Sequence, residues 1–167
     1  MENNTVLDIL KQAILLEKRG FSFYSNVAHQ TTDPDIRKIF QVMADEETLH
    51  VKFLSEQFVH YDKNKTFLKV DLPDFTHDGI AALVLNEEVK KKISVAGFEA
   101  AAISAAIDME KRAIEVYTSQ GVQATDPAEK ELYLWLAEWE KTHLKILNDL
   151  DNELKERIWF DNQFWPF

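Results

Sequence analysis

Cysteine is absent from this chain of 167 residues, and glycine and proline occur only four times each. The absence of thiols excludes disulfides, thiolate nucleophiles, iron–sulfur ligation and dithiol redox chemistry within the chain. An all-β fold needs many turns, which glycine and proline usually supply, so their scarcity favours long helices. The composition therefore indicates an all-α protein.

Long apolar runs and basic clusters are also missing. No run approaches the roughly 20 apolar residues that a membrane span needs. The N-terminal segment MENNTVLDILKQAILLEKRG lacks the basic region and apolar stretch of a signal peptide. The net charge is −10 and no basic face runs along the chain, which argues against nucleic acid as a partner. We therefore expect a cytoplasmic protein with no membrane or nucleic-acid partner.

Four segments carry apolar residues at helical spacing and predict helices over about 5–29, 34–61, 97–119 and 127–158. Thr5 and Asp33 are the predicted N-caps of the first two helices, and a second Asp-Pro pair starts the fourth. The apolar stripe of the first helix consists of Leu7, Leu10, Ile14, Phe21 and Tyr24.

The connection over 62–96 is much longer than the other two, and a short helix is expected within it at about 85–92. Antiparallel neighbours need only a short loop, whereas a parallel pair needs a crossover as long as the bundle. A helix of about 28 residues is about 42 Å long, and roughly 35 residues can span that distance. We therefore predict a four-helix bundle with one long crossover between helices 2 and 3.

An internal repeat divides the chain. Residues 13–54 align with 106–147 at an offset of 93 without a gap, and 15 of the 42 aligned positions are identical. Some identities mark helix boundaries, but the identical Glu, Tyr and His on apolar faces do not. We interpret 1–167 as a single domain with one helical hairpin at about 5–61, the crossover at 62–96, a second hairpin at about 97–158 and an aromatic tail at 159–167.

Four glutamates lie on the predicted apolar faces. Glu17 follows Ile14 by three residues and so projects from the apolar stripe, and Glu47, Glu110 and Glu140 occupy corresponding positions. Burial of four unpaired carboxylates would cost many kcal/mol. The carboxylates must therefore meet cations or carry protons.

Two histidines complete this set. In Glu47-x-x-His50 and Glu140-x-x-His143 the i, i+3 spacing places both side chains on one helix face. A single motif of this kind is usually a solvated Glu and a surface or core His, but here two of them are in register with two further apolar-face glutamates. We predict that the site holds two divalent cations, and its oxygen-rich donors suit iron or manganese better than zinc. The predicted ligands are Glu17, Glu47, His50, Glu110, Glu140 and His143.

These residues resemble the di-iron pattern of the ferritin-like proteins. The segments Leu-Glu-Lys-Arg at 16–19 and Met-Glu-Lys-Arg at 109–112, each followed by a tyrosine, look like the rubrerythrin branch of that superfamily. The resemblance covers about 5–60 and 97–150, and it implies a ferritin-like four-helix bundle with a di-iron site.

The resemblance also implies roles for individual residues. By it, Glu47 and Glu140 bridge the two metals, Glu17 and Glu110 are terminal ligands, and each histidine binds one metal. Tyr24 and Tyr117 would then hydrogen-bond to carboxylate ligands, although ordinary aromatic core residues are the alternative for both tyrosines.

The chain departs from the family in two places. Rubrerythrins with a switching carboxylate carry an extra Glu three residues after the third-helix ligand, where this chain has Ala113. Rubrerythrins also typically carry a rubredoxin-like domain with four cysteines, which this chain cannot form. Electrons would therefore have to come from a separate donor protein.

The residues around the histidines break the symmetry of the repeat. A metal-bound histidine needs an acceptor for its second ring N–H. Glu46 can accept from the histidine of the other repeat, but its counterpart Trp139 has an indole that only donates. We therefore expect the two metal positions to be inequivalent.

The leading hypothesis is a non-haem di-iron redox protein that reduces peroxide or dioxygen with electrons from an external donor. The alternatives are an iron-handling ferroxidase or storage protein, and a structural bundle that holds zinc or no metal. The tail at 159–167 has five aromatic residues, which we expect to pack on their own bundle, while the resemblance allows a homodimer.

Overall fold

The computed structural model describes residues 5–69, 72 and 97–161 of the chain. Within these residues there are four helices and no strands: α1 (Val6–Gln30), α2 (Pro34–Asn64), α3 (Phe98–Gln123) and α4 (Pro127–Asp161). The prediction of an all-α fold is confirmed. None of these helices is long and apolar enough to cross a membrane.

The helices begin where the sequence places their caps. The Thr5 side chain accepts a hydrogen bond from the backbone N–H of Asp8 at 3.2 Å, and the Asp8 carboxylate accepts one from the backbone N–H of Thr5, which completes a capping box. Asp33 caps α2 in front of Pro34. At their C-terminal ends α2 and α3 extend three or four residues beyond the predicted limits, and α2 stops at Lys65 in the left-handed conformation (φ 56°).

Two hairpins, α1–α2 and α3–α4, pack as antiparallel pairs. Tyr24 contacts Glu110 while Tyr117 contacts Glu17, so α1 and α3 also run in opposite directions. As a result α2 and α3 are parallel, and the chain between them must cross the length of the bundle, as predicted. Most of that crossover, including the helix expected at 85–92, lies outside the described residues.

The first residues of the crossover are fastened to α2. The buried Gln57 amide donates to the Leu68 carbonyl at 2.7 Å and accepts from the Leu68 N–H at 2.9 Å. Phe67 is buried beside Tyr61, with ring centroids 5.2 Å apart. Gln57 therefore pairs the backbone N–H and C=O of Leu68, a residue beyond the end of α2.

The apolar core forms two layers, one toward each end of the bundle. One layer is built around Tyr24, Phe40 and Ile103, and the other around Tyr117, Tyr133 and Leu136. The predicted stripe of α1 is partly wrong, because Phe21 is 41 % exposed. The buried face of α1 consists instead of Leu10, Ala13, Glu17, Gly20, Tyr24, Val27 and Ala28. The small residues on this face let α1 approach its neighbours closely.

Substitution of Gln57 by Ala should lower the free energy of unfolding by about 1–3 kcal/mol, since it leaves the Leu68 N–H and C=O unpaired. Urea denaturation of the metal-free protein measures this change. The control is Gln41→Ala on the same helix, because Gln41 is exposed and bonds only to Asp45 among the described residues. An equal effect of the two substitutions would contradict the role assigned to Gln57.

Candidate metal centre

The six predicted ligands come together in the middle of the bundle, between the two apolar layers. Each helix contributes to the cluster, and every one of the six residues is at most 2 % exposed. The members are Glu17 from α1, Glu47 and His50 from α2, Glu110 from α3, and Glu140 and His143 from α4. The cluster thus places four carboxyl groups and two imidazoles in a core without water access.

The ligand atoms form two overlapping sets. One set is Glu17, Glu47, His50 and Glu140, and the other is Glu47, Glu110, Glu140 and His143; within each set the atoms lie within 4.8 Å of one another. Glu47 and Glu140 belong to both. We refer to the unshared pairs as the Glu17–His50 half-site and the Glu110–His143 half-site.

Both imidazoles direct Nδ1 into the cluster. His50 Nδ1 lies 2.9 Å from Glu17 Oε2 and 3.1 Å from Glu140 Oε1. His143 Nδ1 lies 3.1 Å from Glu140 Oε2 and 3.5 Å from Glu110 Oε1. Glu140 is therefore close to both rings, one through each carboxylate oxygen.

These short separations are only partly hydrogen bonds. Among the described residues, both Glu140 oxygens and His143 Nδ1 are buried without a partner in hydrogen-bond geometry. Buried polar atoms normally have partners. Donor atoms that crowd together without bonding to one another are arranged as ligands around a cation, so this set fits a pair of divalent metals. The bridging and terminal roles of the individual residues remain a prediction.

Burial and mutual repulsion push the half-site carboxyl groups toward the protonated form in the metal-free protein. Burial, followed by the Glu140 charge, raises the pKa of Glu17 well above 4.5 and raises that of Glu110 to about 8. The shared carboxylates behave oppositely. Burial alone would raise their pKa values, but the two imidazoles outweigh it and lower the pKa of Glu47 and of Glu140.

The imidazoles respond in the complementary sense. Burial by itself lowers a histidine pKa, but the surrounding carboxylates outweigh this effect and raise the pKa of both His50 and His143 well above 6.5. Protons therefore balance much of the carboxylate charge when no metal is bound. Divalent cations of suitable radius can replace those protons in the cluster.

Two tyrosines cross between the hairpins to hold the half-site carboxylates. The Tyr24 hydroxyl donates to Glu110, and the Tyr117 hydroxyl donates to Glu17. Burial, then the Glu110 charge, raises the pKa of Tyr24 well above 10, so its hydroxyl stays a donor. The structure brings both tyrosines to the predicted carboxylates, so they are more than ordinary core residues.

Gly20 is a site residue that the sequence reasoning missed. A Cβ at this position would lie 2.9 Å from Cδ of Glu47 and 3.1 Å from its Oε1. A side chain at position 20 would press on the shared carboxylate of α2 and force it to shift. The available signal was a glycine inside a helix, three residues after Glu17, in a chain with only four glycines.

Together these features define a class: a ferritin-like four-helix bundle with a buried carboxylate–histidine cluster suited to a binuclear metal site. A family model described as Rubrerythrin matches residues 8–150, and the chain belongs to this family. No curated protein and no solved structure gives a significant match. The family resemblance predicted from the residues is confirmed.

Substitution of Gly20 by Ala should weaken metal binding by about ten- to a hundredfold, because the new Cβ displaces the Glu47 carboxylate. Titration of the metal-free protein with Co²⁺ measures the affinity. Gly121→Ala is the matched control: its Cβ would lie 2.8 Å from Cδ2 of Leu134 rather than near a ligand. Unchanged Co²⁺ affinity in Gly20→Ala would contradict this role.

The metal-free protein should lose thermal stability between about pH 6 and about pH 9. Glu17, Glu110, His50 and His143 all have raised pKa values, so over this range the folded state binds more protons than the unfolded state, and rising pH favours unfolding. With Zn²⁺ bound, the midpoint temperature of unfolding should stay constant or increase as the pH rises over this range. Thermal denaturation followed by circular dichroism compares the two forms, and a metal-free midpoint that rises with pH contradicts the expectation.

Proposed function

We propose that this protein is a di-iron oxidoreductase that reduces peroxide or dioxygen with electrons from a separate donor protein. The observation that carries the proposal is the pair of overlapping ligand sets, which share the carboxylates of Glu47 and Glu140. Shared carboxylates let two metals act as a unit instead of as two independent sites. Iron suits the oxygen-rich donor set, and manganese or zinc are the other candidates.

Two ferrous ions bound in this cluster would supply two electrons, the number that converts one peroxide and two protons into two water molecules. The half-site residues Glu17, His50, Glu110 and His143 would each complete the donor set of one ion. Glu47 and Glu140, which belong to both ligand sets, would help to hold both ions.

Residues around the cluster support that chemistry because they orient the ligands and exclude water. The apolar layers around Phe40 and Leu136 close the cluster on both sides. Tyr24 and Tyr117 fix the orientation of the half-site carboxylates through their hydroxyl donors. A site held in this way needs little rearrangement when charge changes within it.

The electrons for repeated turnover have to enter from outside the chain. The 167 residues contain no cysteine to hold an iron–sulfur centre. The proposed reaction therefore alternates between oxidation by peroxide or dioxygen and reduction by a donor protein.

Iron handling, as a ferroxidase or a storage protein, is the second candidate, and Ala113 favours it. This residue lies where carboxylate-switching rubrerythrins carry an additional Glu, and here it is buried in the apolar layer beside Tyr117. Without a carboxylate at that position, the family's redox-linked iron movement has no ligand. Oxidation in a single slow turnover followed by iron release would be the signature of this function.

Stopped-flow oxidation of the diferrous protein by peroxide and by dioxygen tests the proposal. We expect faster oxidation by peroxide and repeated cycles when a reductant is supplied. One slow oxidation followed by iron release would favour iron handling, and no reaction with either oxidant would contradict both functions.

The Glu140→Ala substitution should abolish the reaction. The control is Glu138→Ala, which should retain it, because Glu138 is exposed and pairs only with Lys141 among the described residues.

A further inference from the structure

The two half-sites match in their carboxylates but differ behind their histidines. Each has one glutamate that the other half-site does not share, and this glutamate accepts a hydrogen bond from a tyrosine of the opposite hairpin. The 93-residue offset relates Glu46 on α2 to Trp139 on α4. These two positions face the second nitrogen of His143 and the ring of His50, respectively.

His143 has a strong acceptor for its outer nitrogen. Nε2 lies 2.6 Å from Glu46 Oε2, and the Glu46 side chain is 13 % exposed while the imidazole is fully buried. With the Nε2 proton held by a carboxylate, the Nδ1 lone pair points into the cluster and becomes a better donor to a metal. Glu46 thus selects the ring tautomer that binds metal.

His50 lacks such an acceptor. Its ring is fully buried, and within the described part of the chain Nε2 has no hydrogen-bond partner. The ring stands nearly perpendicular to Trp139, with centroids 4.6 Å apart, and Trp135 lies at 6.1 Å. When Nδ1 binds a metal, the Nε2 proton has no acceptor in the described part of the chain, and the neighbouring indoles offer none because an indole N–H only donates. An unpaired buried donor of this kind carries a free-energy cost.

We propose that the two metal positions fill in order: the Glu110–His143 half-site binds its ion first and more tightly, and the Glu17–His50 half-site binds the second ion more weakly. The inference rests on the proposed binuclear site and names Glu46 and Trp139 as the positioning residues that separate the two affinities. Loss of a hydrogen-bond partner behind a ligand typically costs ten- to a hundredfold in metal affinity, so we expect a difference of about that size.

Titration of the metal-free protein with Co²⁺, followed through its absorption bands, tests the order of filling without any redox chemistry. The wild type should bind two ions in two resolved steps. Glu46→Leu should weaken the first step toward the second, and Glu46→Gln, which keeps an acceptor oxygen, should fall between the wild type and Glu46→Leu. Trp139→Glu, which supplies His50 with the missing acceptor, should strengthen the second step.

A crystal structure with one equivalent of Co²⁺ locates the first ion without relying on any variant. Anomalous density between Glu110 and His143 supports the proposal, and density between Glu17 and His50 overturns it. A single class of two equal sites in the wild type, or an unchanged difference in a folded Glu46→Leu protein, also overturns it. Because Co²⁺ binding is independent of peroxide reduction, these outcomes leave the proposed redox function to its own test.

Discussion

The structure depends on one electrostatic constraint: the carboxyl groups of four glutamates lie in a core that excludes water, and each of these residues is at most 2 % exposed. Carboxylates in such a place must be protonated, paired or bound to cations. The raised pKa values of Glu17 and Glu110, and the lowered values of Glu47 and Glu140, show how protons are distributed when no metal is present. The tyrosines and His50 supply partners for some of these groups, and the apolar layers keep water away from all of them.

The fold meets this constraint by duplication. Each hairpin supplies only half of the donors, and the antiparallel crossing of α1 and α3 lets a tyrosine from each repeat reach the carboxylate of the other. The antiparallel crossing of α1 and α3 also makes α2 and α3 parallel, and two parallel helices need a long crossover between them. The Gln57 side chain fastens the first residues of that crossover to α2 through two hydrogen bonds with the Leu68 backbone. The two repeats differ at Glu46 and Trp139, because Glu46 contacts His143 whereas Trp139 packs against His50.

Much of the fold and the identity of the cluster could be predicted from the sequence, because repeated Glu and His at fixed helical phases are a local signal. The roles of side chains that depend on tertiary neighbours could not be predicted in this way. Phe21 has the right spacing for the buried stripe, yet it is 41 % exposed because the small residues Ala13 and Gly20 take the inner face of α1. The close approach of position 20 to the Glu47 carboxylate is visible only in the folded structure. Gln57 was missed for the same reason, since its partner belongs to an irregular segment.

We propose that Glu47 and Glu140 join two metals in one site. Metal analysis of protein reconstituted anaerobically with ferrous iron, together with its Glu140→Ala variant, is the decisive test. We expect about two ions per chain in the wild type and loss of most binding in the variant, because a carboxylate shared by both ligand sets has been removed. Fewer than about half an ion per chain in the wild type, or stoichiometric binding retained in the variant, would contradict it.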